Sequence, residues 1–192
     1  MAASAKTNNS LTSAMRLILS NDSPENTTIS DSTTGQVLYR FSTPSGKGIV
    51  NIFRVVPNDS DGDHMKDRFE QLAQIEWYDP TTSIFRYRGQ KYLTTEFFKH
   101  EGKSERRRSF IAADGRAYVW VLSTHTSSLE LHDNSRTLIA RSYRQKHMLS
   151  GPPEARKAYI EISLGGEHIR DDIAVTWAFA ESVRRALELG RL

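Results

Sequence analysis

Asp171-Asp172-Ile173-Ala174-Val175-Thr176-Trp177-Ala178-Phe179-Ala180 is the stretch on which the reading of this chain turns. From Ile173 to Ala180 it is apolar on every helical face apart from Thr176, and Glu181, Arg184, Arg185 and Glu188 follow before Gly190. A surface helix shows a single apolar stripe, whereas a helix that is apolar all round is buried. The sequence therefore predicts a helix from about 171 to 189 whose first half is enclosed and whose charged second half emerges into water. Asp171 and Asp172 are N-cap candidates that also suit the positive end of the helix dipole, and Gly190 is the expected stop.

Upstream of Gly165-Gly166 the pattern is of a different kind. Short β-branched and alternating runs are separated by turn residues. They are Met15–Ser20, Thr27–Asp31, Gln36–Thr43, Ile49–Val56, Ser83–Arg88, Lys91–Phe98, Ser128–Leu131, Thr137–Ser142 and Ala158–Ser163. Phe69–Tyr78 fits a helix through Phe69, Leu72, Ala73 and Ile75, and a strand through Ala73, Ile75 and Trp77; its second half is read as strand. Lys91–Phe98 fits a short strand or one helical turn. The best hairpin lies at Ser109–Val121, where Asp114-Gly115 supplies the favoured tight-turn pair. About a dozen strands followed by one buried helix predict a mainly β protein, a closed antiparallel β-barrel of about twelve strands enclosing the hydrophobic C-terminal helix. Closure would also remove the edges at which sheets aggregate. The alternative is a helix packed across one end of a sandwich.

Composition narrows the function classes. The 192 residues suit one domain, read as a flexible tail over 1–13 and a single domain over 14–192. Lys+Arg 26 against Asp+Glu 23 gives a formal charge of +3, too balanced for a dedicated nucleic-acid binder. The absence of cysteine excludes disulfide scaffolds, thiol catalysis and thiolate metal sites. No apolar run reaches the roughly 20 residues that span a bilayer. Met15–Leu19, interrupted by Arg16, is too short for a secretory core, so the expected location is the cytoplasm, at most peripheral to membranes.

Thr34-Gly35-Gln36-Val37-Leu38-Tyr39, Ile75-Glu76-Trp77, Ala113-Asp114-Gly115-Arg116 with Tyr118 and Trp120, Ala140-Arg141 and the 171–185 helix occur in this order. Over about 15–189 the chain thereby resembles an uncharacterised family of small intracellular proteins found mainly in basidiomycete fungi. It is similar at fold level to the tubby C-terminal-like barrels: tubby, the phospholipid scramblases and the plant LURP-one-related proteins. The resemblance implies a twelve-stranded barrel around a hydrophobic C-terminal helix. It implies function less firmly, since a shared fold does not carry a shared activity; tubby binds membrane phosphoinositides through basic residues.

The candidate site is basic. Lys99, Lys103, Arg106, Arg107 and Arg108 form the densest cationic stretch, and Arg141, Arg144 and Lys146 a second; segment 101–160 holds 11 Lys/Arg against 6 Asp/Glu. Such a face suits anionic phospholipid headgroups, with Phe97 and Phe98 available as an apolar anchor. The plain alternative is a solvated loop, with both phenylalanines in the core and the arginines paired to Glu101 and Glu105. On the membrane reading Arg106–Arg108 are exposed, and reversing their charge leaves the fold intact.

Other motifs are weak. Asp59, Asp61, Asp63 and Glu70 match positions of a calcium loop, but His64 stands where glycine makes the turn. The histidines show no metal-ligand spacing, no serine lies in a nucleophile elbow, and Ser45-Gly46-Lys47-Gly48 lacks the upstream glycine of a phosphate loop. Trp77, Tyr78, Tyr118, Trp120 and Trp177 suit core packing better than a ligand cavity. No catalytic residue, cofactor or metal is expected. The sequence thus points to a non-enzymatic binding module for anionic lipid or a protein partner, with a loop-built enzyme or small-ligand site as the alternative.

Overall fold

The structure is a computed structural model describing residues 13–44, 48–56, 68–102, 105–145 and 157–190. Seven strands form the first half: β1 (Ser13–Leu19), β2 (Thr27–Asp31), β3 (Val37–Ser42), β4 (Ile49–Val56), β5 (Arg68–Glu76), β6 (Ile84–Tyr87) and β7 (Gln90–Leu93). A single helical turn, α1 (Thr94–Phe97), leads into β8 (Lys99–His100), β9 (Arg107–Ile111), β10 (Ala117–Leu122), β11 (Thr126–Leu131), β12 (Leu138–Tyr143) and β13 (Tyr159–Ser163). A 3-10 turn at Leu164–Ile169 then feeds α2 (Arg170–Glu188).

All thirteen strands belong to one antiparallel sheet in the order β7-β6-β5-β4-β3-β2-β1-β13-β12-β11-β10-β9-β8. Strands consecutive in sequence pair with each other except β7 and β8, and the β1–β13 pairing joins the two halves, with Leu17 opposite Ile160. The ambiguous segments resolve as both alternatives in turn: 68–76 is strand throughout, while 90–98 is a strand followed by a helical turn. The Asp114-Gly115 pair lies in a longer connection than a two-residue turn. Gly115 N–H donates to the Ala112 carbonyl at 3.1 Å, and Gly115 takes the left-handed φ of 78° that a side chain resists.

The closed barrel expected from the sequence does not form. β7 and β8 are the two edges of the sheet and share no ladder. β7 stops at Leu93: Thr94 N–H still donates to the Ser83 carbonyl and Thr94 Oγ1 to the Pro80 carbonyl, both at 2.9 Å, and the chain then coils into the helical turn 94–97. β8 has only two residues. Between the edges the Phe97 ring packs on Tyr92 at 5.3 Å and on Phe110 at 6.1 Å between centroids, so side chains rather than backbone bonds bridge the gap. The result is an open, sandwich-like sheet whose halves face each other across α2.

The helix is held from both halves. Phe41 of β3 meets Trp177 at 5.9 Å, Trp77 meets Phe179 at 5.7 Å, and Phe98 stacks on Phe179 at 4.1 Å. Trp120 of β10 donates its indole N–H to Thr176 Oγ1, and Trp177 donates to Ser142 Oγ of β12, both at 2.9 Å. Each large aromatic group thereby keeps a partner for its polar atom inside the core. Gly166 permits the entry to α2: a Cβ there would stand 2.8 Å from Ile162 Cγ2 and 2.9 Å from Ile139 Cγ2.

Two expectations about the helix need correction. Asp171 and Asp172 are not caps; Ile169 is the N-cap, and both carboxylates lie in the first turn and reach to the strands. The second half does not simply emerge, because Glu181 and Arg184 are as buried as the apolar residues before them. Gly190, at φ 63°, does follow the last turn.

Candidate functional site

At the N-terminal mouth of α2 a cleft of about 540 Å³ is built from Arg54 of β4, Glu70 of β5, Tyr87 of β6 with the following Arg88, the 3-10 turn and the first turn of α2. Asp171 Oδ1 accepts from Tyr39 Oη at 2.6 Å, and its Oδ2 from Arg54 at 2.7 Å. Arg54 also pairs with Glu70 at 2.9 Å, and Arg170 Nε donates to Tyr39 Oη at 3.2 Å. Asp172, almost fully buried, takes Arg88, Tyr87 Oη at 3.1 Å and the Ala113 N–H at 3.1 Å. Burial and the adjacent carboxylates push the Tyr39 and Tyr87 hydroxyls well above the usual tyrosine range. At the rim His168 Nε2 lies 2.8 Å from Asp114 Oδ2, which also accepts from Tyr118 Oη at 2.7 Å. Burial opposes the Asp114 charge, but the bonds from Tyr118, His168 and the Arg116 N–H outweigh it and hold the carboxyl below its ordinary range.

The charged groups of this cleft lock its walls together. Each of its aspartates is committed to an arginine, a tyrosine or both, and no serine, threonine or lysine lines it to serve as nucleophile. Asp114 orients the His168 imidazole through the 2.8 Å contact. Among the described residues no cluster of three or more His, Asp or Glu could hold a metal ion.

The structure disperses the basic residues singled out in the sequence. Arg107 and Arg141 fall on one row across the sheet, through successive partners Arg107–Val121, Val121–Ser128 and Ser128–Arg141. That is three strand spacings, roughly 14 Å. Arg107 faces Glu101 at 3.6 Å, and Arg141 Nε meets Ser128 Oγ at 3.4 Å. Arg108 is not on a surface loop: it is opposite Trp120, about 4 % exposed, and ion-paired with Glu105. Arg106 bonds the Leu122 carbonyl at 3.4 Å, and Lys99 the Thr95 carbonyl at 3.5 Å. Arg144 sits apart from these, beside Glu188 at 3.0 Å and Asp22 at 3.8 Å. Lys103 and Lys146, like the calcium-loop residues Asp59, Asp61 and Asp63, lie outside the described residues. Phe98 is buried against Phe179 and Phe97 packs among Tyr92, Phe85 and Phe110, so neither is an exposed anchor.

Two further concavities were not foreseen from the sequence. One, about 640 Å³, opens at the C-terminal mouth of α2, where Trp77 and Tyr78 form a wall with Val50, Ile75 and Leu189. Of the aromatic residues considered for a cavity only these two reach one; Tyr118, Trp120 and Trp177 are core. The other, about 300 Å³, is a groove along the open seam of the sheet, lined by Tyr92, Phe97, Phe110, Ile111 and Ala117. The signal for it was the double character of Lys91–Phe98: a strand that breaks into a helical turn cannot also close a barrel.

Comparison with known proteins adds a family and no activity. A family described as "Family of unknown function (DUF6593)" matches residues 22–186. No curated protein and no solved structure matches the chain. Among the described residues no helix is long and apolar enough to cross a membrane.

Proposed function

The chain belongs to that family of unknown function, and from this premise we propose that it is a non-enzymatic binding module whose partner is another protein. The observation that carries the reading is the seam between β7 and β9. There the sheet leaves apolar side chains accessible, with Ile111 62 % exposed, while the charged groups elsewhere are largely spent on one another. A cytoplasmic location fits the same reading.

Phosphoinositide binding at a membrane surface is the second reading. It is favoured by the shared row of Arg107 and Arg141 on the sheet and by Lys99 nearby, and weakened by the pairing of Arg107, Arg108 and Arg144 with carboxylates.

The two separate in one experiment. A photocrosslinking residue at Ile111, in the full chain expressed in its own cells, is expected to give a discrete protein adduct, and the same residue at Arg16 on the far side of the sheet to give none. Vesicles carrying phosphatidylserine and phosphoinositide are expected to leave the protein unbound at low salt. Flotation with such vesicles, lost in Arg106→Glu/Arg107→Glu and as salt rises, would install the lipid reading instead.

A further inference from the structure

Taking the protein-binding reading as its base, we infer that the seam accepts an extended, acidic segment of the partner by strand addition, the segment lying between β7 and β9. The hydrogen-bond alternation of the two edges places the acceptors and donors for it. Tyr87 at the end of β6 and Gln90 at the start of β7 flank a two-residue turn at Arg88-Gly89, both with positive φ. In an antiparallel pair every second residue turns its N–H and C=O away from the neighbour, so in β7 Lys91 and Leu93 face outward. Leu93 N–H is taken by Glu96 Oε2 at 2.9 Å, which leaves the Lys91 pair. In β9 the bonds Leu122 N–H to the Arg106 carbonyl and Ala112 N–H to the Arg116 carbonyl set the phase. Ser109 and Ile111 then face outward. Ser109 is taken by Lys99 of β8, and β8 ends there, so the Ile111 pair is left beyond it.

Unpaired edge backbone on both sides of an apolar floor is the arrangement that strand addition uses: main-chain bonds give affinity and alternate side chains enter pockets. Tyr92, Phe97 and Phe110 supply that floor, with Ile111 at its margin. Charge selects the occupant. Among the described residues Lys91 on one edge has no acidic partner, and Lys99 on the other bonds the Thr95 carbonyl at 3.5 Å and no carboxylate. Glu96 is committed to its own backbone, and Arg88 to Asp172. A second copy of this chain would bring lysines against lysines, whereas a segment with glutamate or aspartate flanking apolar residues meets both. Short edges carrying lysine are also how sheets resist indiscriminate pairing, so the seam admits a short acidic strand and discourages open-ended assembly.

The probe is a synthetic eight-residue peptide alternating valine and glutamate. Its controls are the valine–lysine counterpart and a version N-methylated at alternate residues. In the free full-length protein the Lys91 and Ile111 amides are expected to exchange rapidly with deuterium. The glutamate peptide is expected to slow both, the lysine peptide to do so several-fold less, and the methylated peptide not at all. Lys91→Glu/Lys99→Glu, exposed and outside the core, is expected to invert the preference between glutamate and lysine peptides. Equal protection by the lysine or methylated peptide, no protection by any peptide at millimolar concentration, or amides already protected in the free protein would each overturn strand addition. If a crosslink at Ile111 still captures a protein in those cases, the binding-module reading survives without it; loss of both results removes both.

Discussion

Arg184 and Glu181 form a two-pronged ion pair inside the protein, with side chains about 1 % and 3 % exposed. Arg184 also donates to the Thr124 carbonyl at 3.1 Å and pairs with Glu188, and Arg185 adds a bond to Glu181 at 3.1 Å. The cation thus ties the last turns of α2 to the loop before β11. Burial alone would disfavour it, and the carboxylates Glu181 and Glu188 hold it charged.

Arg184→Ala is therefore expected to destabilise by about 3 kcal/mol, because it leaves the buried Glu181 carboxylate with Arg185 alone. Replacing both Arg184 and Glu181 with methionine is expected to cost clearly less than Arg184→Ala alone. Urea unfolding of the three proteins decides; equal losses for single and double variants would remove the stranded-charge explanation.

Gly166→Ala places a methyl group against Ile162 and Ile139, two β-branched side chains with little freedom to move. Overpacking of this kind costs typically 1–3 kcal/mol. The neighbouring Gly165→Ala meets only ordinary contacts at 3.8 Å and is expected to be near neutral. A thermal melt of the pair measures the difference, and equal melting temperatures would show that the entry to α2 adapts.

The arginine triplet is expected to divide. Arg106→Glu, at an exposed position, changes stability by no more than about 0.5 kcal/mol. Arg108→Glu puts a carboxylate opposite Trp120 and beside Glu105, and is expected to lower soluble yield and the unfolding midpoint sharply. Sequence reading treated the three as one exposed cluster; similar behaviour of both variants would restore that view.

Stability is expected to fall on both sides of neutrality. Asp31, Asp79, Asp114, Asp133 and Glu105 are held below the ordinary carboxylate range by bonds from neighbouring hydroxyls, backbone N–H groups or, for Glu105, Arg108. A depressed carboxylate stabilises the fold above its unfolded value, about 3.9–4.3, and that contribution is lost as pH falls through the folded value. Tyr39, Tyr87 and Tyr118 are raised, so their contribution is complete below about pH 10 and lost above it. Melting temperature should hold between roughly pH 5 and 9 and drop outside, with Asp114→Asn softening the acid limb. A melting temperature unchanged down to pH 2.5 would contradict this.

Strand placement was legible because alternation is local. Tyr39 and Phe41 sit on the face that their spacing assigns, and β2, β3, β9 and β13 begin and end within a residue or two of their turn signals. The buried helix was legible for the same reason, since the eight residues Ile173–Ala180, polar only at Thr176, leave no other place for it. The basic site was not legible: Arg107 and Arg108 are adjacent in sequence, but strand geometry sends them to opposite faces of the sheet.

By itself the sequence determined the mainly β character, the enclosed C-terminal helix and the lack of thiol chemistry, all properties of residue type and short-range period. Only the tertiary structure decided that the sheet stays open. Closure depends on how the short link between the two edge strands is folded in three dimensions: residues 94–97 form a helical turn rather than continuing β7, and the Phe97 ring packs between Tyr92 and Phe110. The tertiary structure also decided which charges are free, because a charge is spent or available according to what stands opposite it across the sheet. Arg184 finds Glu181 within its own helix and a carbonyl from a distant loop, whereas Lys91 and Lys99 border a seam that pairs neither with an acid.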